Sequence, residues 1–367
     1  MGGGGAEACR TPSRSLIGTI AECALSVPRG PATIEGQRAL EQRSFAAGAV
    51  IDVRGVQSML ALVPTADPDE PVALETVAEP TPAADEAVVA VEAFSVNRGE
   101  LMRLYRPKPG WRPGRDVAGR VVRAAADGSG PQTGTRVVAF AADAGWAEQV
   151  AVPTAGLAEL PDAVSTLQAA ALPLAGLSAL RLARAAGAVA GQRVLLTGAS
   201  GGVGHFLVEL LAGAGAEITA VTATPERGAR LLELGAAAVV HDPQDAEGPF
   251  ELALESVGGA STRAALGKLG RRGRLIWFGG ASREPLTLNF FDFFAGPESG
   301  TIQHFSNADS DTSDGADLAT LVRLVAAGRL HPEIGYAADW KRTAEALVSL
   351  RERRVRGKAV LTLGDVL

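Results

Sequence analysis

The chain has 367 residues, of which 47% are hydrophobic and 21% charged, with a formal net charge of -6. This is a globular composition with room for two domains, and it lacks the basic footprint of a nucleic-acid binder. No uninterrupted apolar run reaches the roughly 18 residues of a membrane span. The two cysteines, Cys9 and Cys23, supply neither a disulfide framework nor a tetrathiolate zinc site, which points to a reducing, cytoplasmic setting.

Residues 1–58 open with Met-Gly-Gly-Gly-Gly, carry arginines throughout and show no clear hydrophobic period. They read as a disordered extension, or as the product of a start placed too far upstream; a targeting peptide is disfavoured by Glu22, Glu35, Glu41 and Asp52. From Met59 the pattern turns β-rich. Strands are expected at 88–96, 117–124 and 135–140, separated by glycines and prolines. Helices are expected at 165–172 and 178–186, with Pro173-Leu-Ala-Gly176 interrupting them.

The segment Arg193-Val-Leu-Leu-Thr-Gly-Ala-Ser-Gly-Gly-Val-Gly204 follows, and a helix-periodic run starts at His205. Strand, glycine-rich turn and helix together are the context in which such a loop binds a dinucleotide. Glycines admit the pyrophosphate close to backbone N–H groups, and the helix N-terminus adds positive potential. Ser200, Gly201, Gly202, Val203 and Gly204 are therefore cofactor candidates. An NAD site usually carries an acidic residue about 20 residues further on. Here the next strand ends in the uncharged Thr222-Ala223-Thr224, with Arg227 beyond it. Hydroxyls and a guanidinium accept a 2′-phosphate that a carboxylate would repel, which favours NADPH. Arg227 also reads as an ordinary solvated residue, and Glu226 as a first-turn helix residue. Beyond this point helices at 227–234 and 262–269 alternate with strands at 238–241, 250–255, 274–278 and 301–305. That alternation predicts a doubly wound parallel sheet. An amphipathic helix at 314–327 and a strand at 358–363 close the chain, the strand returning to the β-rich part.

Several separated motifs make residues 59–363 resemble the medium-chain dehydrogenase/reductases, in the zinc-independent, quinone-oxidoreductase-like branch. They are Ser95-Val-Asn-Arg-Gly-Glu100, Arg112-Pro-Gly-Arg-Asp-Val-Ala-Gly-Arg-Val-Val122, Leu172-Pro-Leu-Ala-Gly-Leu-Ser178, Thr197–Gly204 and Gly357-Lys358-Ala-Val-Leu. The resemblance implies an α/β architecture: a GroES-like β-rich catalytic domain, 59–175 and 313–367, plus a doubly wound Rossmann cofactor domain, 176–312. It also implies NADPH-dependent hydride transfer to a quinone or α,β-unsaturated carbonyl, and a homodimer through the sixth Rossmann strand. No nucleic-acid or membrane partner is expected. Zinc-containing relatives have Cys where this chain has Asn97, and Gly-His-Glu where it has Gly114-Arg115-Asp116. Asn is a poor zinc ligand and Arg115 repels a cation, so no metal is expected.

Without a metal, catalysis rests on orientation and on hydrogen bonds to the acceptor oxygen. Asn97 replaces the zinc cysteine, Tyr105 follows on the same loop, and Ser178 either caps a helix or faces the cofactor; these are the catalytic candidates. Asn97 and Ser178 are also cofactor candidates, with Thr222, Thr224, Arg227, Phe278, Gly279 and Lys358, the last by resemblance near the phosphate end. Each polar side chain also has a bland reading as a cap, a packed residue or a solvated one. The aromatic run Asn289–Phe294 reads as pocket wall, subunit contact or core. A short-chain dehydrogenase would need Tyr-x-x-x-Lys, but Pro109 and Trp340 stand four residues after Tyr105 and Tyr336. A non-catalytic NADPH-binding sensor or structural protein remains the alternative, because fold alone does not decide function.

Overall fold

The structure is a computed structural model that describes residues 57–294 and 296–364. The expectation for residues 1–58, and both cysteines, lie almost wholly outside these. Strands β1 (Ser58–Pro64) and β2 (Val72–Ala78) pair antiparallel. A larger sheet contains β3 (Glu86–Val96), β4 (Asp116–Arg123), β5 (Arg136–Phe140), β6 (Gln149–Pro153) and β7 (Leu157–Glu159). Its inward residues, among them Val89, Phe94, Val117 and Val137, are fully buried. Consecutive residues of β3, Ala87, Val88 and Val89, are all buried, so both faces of the strand are covered there.

A second sheet is wholly parallel. Its strands are β8 (Arg193–Leu196), β9 (Glu217–Val221), β10 (Ala238–Val240), β11 (Phe250–Glu255), β12 (Leu269–Trp277) and β13 (Thr301–His304). The order is β10-β9-β8-β11-β12-β13, so connections reverse direction beside β8. Ligands of open parallel sheets bind outside the strand carboxyl ends at this reversal.

Helices differ from expectation in three places. Residues 98–104 form a helix, α1 (Arg98–Leu104), so Asn97 and Tyr105 cap its two ends rather than share a loop. After α2 (Thr166–Ala170), Pro173 does not interrupt: it is the first residue of α3 (Pro173–Ala186). Proline lacks an N–H that the first turn leaves unpaired anyway, and its fixed φ suits that position. Ser178 therefore sits inside α3, not at its start. The remaining helices are α4 (Gly202–Gly213), α5 (Ala229–Glu233), α6 (Gly259–Gly267), α7 (Asp314–Ala326) and α8 (Thr343–Arg351). The last of these and strand β14 (Ile334–Asp339) carried no clear sequence signal. Strand β15 (Lys358–Thr362) lies parallel to β14 and antiparallel to β3, returning the chain to the first sheet.

Helices α3 and α7 are held by a buried ionic cluster. Arg181 bonds Asp317 and Asp314 at 2.8 Å each, and Arg184 reaches the second Asp317 oxygen at 2.5 Å. The remaining Arg181 nitrogen donates to the Asn307 carbonyl at 2.7 Å. Removing one partner of such a pair leaves a buried charge uncompensated. Asp317→Asn is expected to cost about 3 kcal/mol of unfolding free energy, read from urea denaturation; a loss under about 0.5 kcal/mol, as for an exposed pair, would refute that weight.

Candidate functional site

The glycine-rich turn has the shape that a dinucleotide needs. Thr197 follows β8, and Gly198 turns with φ +62, where an added Cβ would lie 2.4 Å from Ser256 Oγ. At Gly204 a Cβ would come within 2.4 Å of the Ala199 carbonyl, so α4 can approach the strand only with glycine there. Gly201 is exposed, leaving its backbone open at the N-terminus of α4. A buried carboxylate shapes the neighbouring turn: Glu255 accepts from Thr197 Oγ1, the N–H groups of Val257 and Gly258, Ser261 Oγ and Thr262 Oγ1. Phe278 and Gly279 follow β12, with Phe278 N–H donating to the Glu255 carbonyl at 2.9 Å. These groups fit a dinucleotide diphosphate.

Beside this turn lies a buried polar constellation. Lys358 Nζ donates to Asn97 Oδ1 at 2.5 Å and to Asp116 Oδ2 at 3.0 Å. Asn97 Nδ2 donates to Asp116 Oδ2 at 2.9 Å and to Glu100 Oε2 at 3.3 Å. Asp116 also accepts Ser95 Oγ and the Leu174 N–H at the start of α3. Glu100 receives N–H bonds from Asn97, Gly114 and Arg115. Asp116 is 0% and Lys358 4% exposed. Lys358, expected near the cofactor phosphates, has its ammonium bonded to Asn97 and Asp116. Its stem passes Gly202, where an added Cβ would meet Lys358 Cδ at 2.9 Å, and of the catalytic candidates its ammonium touches Asn97 alone.

The other candidates are distributed unevenly. Ser178 Oγ donates to the Leu174 carbonyl one turn back, at 2.7 Å, so it is satisfied within α3. Tyr105 packs on the core of the first sheet, and its side chain is hydrogen-bonded by Arg351, which raises the Arg351 pKa. Thr222 Oγ1 donates to Ser200 Oγ at 2.8 Å, tying the strand end to the glycine turn. Thr224 caps the 3-10 turn Pro225–Arg227, and its hydroxyl bonds Glu226. In the aromatic run, Phe290, Phe291 and Phe294 are exposed while Phe293 packs inward.

An arginine cluster went unread in the sequence. Arg227 donates to the backbone carbonyl of Arg353, and Arg353 donates to the Ala281 carbonyl at 3.2 Å. Desolvation, then the charges of Arg353, Arg283 and Arg227, holds the Arg98 pKa below its ordinary value. Among the described residues none of these arginines pairs with a carboxylate. They come from four distant segments, and only their flanking the recognised motifs could have drawn attention to them. A converging, unneutralised cluster favours a polyanionic ligand.

Residues 83–162 match the family profile described as "Alcohol dehydrogenase GroES-like domain", and residues 234–361 the one described as "Zinc-binding dehydrogenase". The "Chloroplast envelope quinone oxidoreductase homolog" of Arabidopsis thaliana is 34% identical over 49% of this chain, which covers only 58% of that relative's length. The "Quinone oxidoreductase-like protein 2" of Mus musculus is 25% identical over 80% of this chain and 89% of its own. In fold, the chain is similar to a quinone oxidoreductase from Escherichia coli solved in complex with NADPH: TM-score 0.74, 22% identity, 83% of this chain and 99% of that one. A GroES-like β sheet joined to a dinucleotide-type parallel sheet defines the class of protein. The chain belongs to the medium-chain dehydrogenase/reductase superfamily, in its quinone-oxidoreductase-like branch.

The second profile's description raises the question of zinc. The residues at that place do not fit a zinc ion. A tetrahedral site needs about three anionic or neutral donors facing an open centre. Here the Lys358 ammonium is bonded to both Asn97 and Asp116, and Arg115, next to Asp116 in the chain, is a further cation. Among the described residues no group of three or more His, Cys, Asp or Glu side chains converges as a metal site would require.

Burial, and next the Asp116 charge, push the Glu100 pKa up to about 7, against the Lys358 charge and the N–H bonds from Asn97 and Arg115. Between the ordinary value of 4.5 and about 7 the folded chain holds a proton that the unfolded chain releases. This group's contribution to stability therefore declines as pH rises through that window and is level above it. Glu100→Gln removes the titration. The wild-type stability minus that of the variant is expected to shrink between pH 5 and pH 7.5 in urea denaturation; a difference that grows would reverse the assignment.

Proposed function

We propose that the chain is an NADPH-dependent oxidoreductase that delivers hydride to a quinone or α,β-unsaturated carbonyl without zinc. The observation that carries this reading is the junction of a dinucleotide-type glycine turn with a buried polar cluster in which the Lys358 ammonium is bonded to Asn97 and Asp116. The two meet directly: the Gly357 N–H donates to the Ser200 carbonyl, and Lys358 is the next residue. The quinone-oxidoreductase names of two relatives and the NADPH complex of the E. coli neighbour support it.

Each part of the chain has a role in this chemistry. Gly201–Gly204 and the N-terminus of α4 hold the diphosphate. The arginine cluster neutralises phosphate charge, with Arg227 toward the 2′-phosphate and Thr222 fixing Ser200. Asn97 lines the reacting end. When bound, the reduced nicotinamide supplies the hydride. Charge gathering on the acceptor oxygen is favoured by the cationic cleft, and water returns the proton.

The deciding experiment is NADPH consumption over a panel of quinones and enones, alongside direct NADPH binding. Turnover is expected with at least one acceptor, unchanged after exhaustive chelation and without stoichiometric zinc by elemental analysis. Tight binding without turnover of any acceptor would favour the sensor reading, and activity restored only by zinc would defeat the metal-free one.

Cofactor choice is tested separately. Arg227→Glu is expected to weaken NADPH about tenfold or more while NADH changes far less, since a charge-assisted contact is worth about 1.5–3 kcal/mol and about 1.4 kcal/mol is tenfold. Dissociation constants for both at fixed ionic strength decide it. Equal weakening would mean general damage, and no change would release Arg227 from the assignment.

A further inference from the structure

The orientation of the Asn97 amide follows from charge. Its oxygen faces the Lys358 ammonium, and its nitrogen faces the carboxylates of Asp116 and Glu100. The reversed amide would set NH2 against an ammonium and oxygen against two carboxylates. A primary amide offers two N–H donors and two oxygen lone pairs. Both donors are committed, at 2.9 and 3.3 Å, and one lone pair is taken by Lys358. What Asn97 can still offer a bound molecule is a single acceptor. It cannot also donate to a developing oxyanion.

We propose that Lys358 is a positioning residue that fixes Asn97 as an acceptor, so that Asn97 recognises a hydroxyl or amide N–H of the bound nucleotide rather than the acceptor oxygen. The inference rests on the NADPH reading above and assigns Lys358 a task apart from the phosphates. Its position suits this task. The residue before it is bridged to Gly201, and its stem lies against Gly202. The cofactor turn and the Asn97 amide are therefore connected through one side chain. With the ammonium and the Asp116 carboxylate both gone, the charges that select this amide orientation are removed from either side of it.

The test is a mutant cycle read on NADPH affinity by nicotinamide fluorescence, using the full chain. Lys358→Met with Asp116→Asn removes the buried charges together, so no carboxylate at position 116 is stranded. This pair and Asn97→Ala are each expected to weaken NADPH about fivefold to twentyfold, in the range of one or two lost hydrogen bonds. Their combination is expected to be no weaker than the worse of the two, because both remove the same contact. Thermal midpoints measured in parallel separate this from unfolding. If this charge-free pair does not fold, the cycle is read with Lys358→Leu and Asp116→Asn against Asn97→Ala, and the same outcomes apply. Effects that multiply, or affinity within about twofold of wild type without the ammonium, would overturn the assignment. The readout needs no turnover. A wild type that binds NADPH but reduces nothing would fail the enzymatic reading while leaving this one to its own result.

Discussion

A buried ammonium on a buried carboxylate is the constraint from which the site is organised. Lys358 and Asp116 are both removed from water, and a charge so placed is costly unless paired and further hydrogen-bonded. Asp116 meets that demand by accepting from Lys358, Asn97, Ser95 and the first turn of α3. Each partner belongs to a different element, so satisfying one carboxylate fixes β3, the start of α1, α3 and β15 against one another. Glu100 extends the same logic, gathering the N–H groups of Asn97, Gly114 and Arg115.

The link to the parallel sheet also runs through backbone. Gly357 has φ +66, and an added Cβ would lie 2.2 Å from the Glu333 carbonyl. Only glycine lets the chain turn there, pair with Gly201 and then enter β15 with Lys358 directed at Asn97. The polar cluster and the glycine-rich turn are consequently neighbours by construction.

The arginines supply what the polar cluster does not. Lys358 is neutralised within the protein, whereas Arg98, Arg227, Arg283 and Arg353 repel each other across the cleft. Bringing like charges together costs free energy that an anionic ligand recovers on binding. Electrostatic labour is thereby divided: an internally balanced centre beside a group of arginines without carboxylate partners among the described residues.

The sequence by itself determined the local features. Strand 193–196, its glycine turn and the following helix were legible because each depends on neighbours within one turn or one pleat. The alternation that builds the parallel sheet was legible for the same reason. Pro173 misled because the same residue ends one helix and begins another, and only packing shows which. Tertiary structure decided the chemistry of the site. Asn97 and Lys358 lie 261 positions apart, and no periodicity relates them. Nor does any local pattern show that Ser178 is satisfied by its own helix, or that four arginines from separate segments meet. Those outcomes arise when sheets close and desolvation forces each buried charge to find its partner, a condition that exists only in the folded chain.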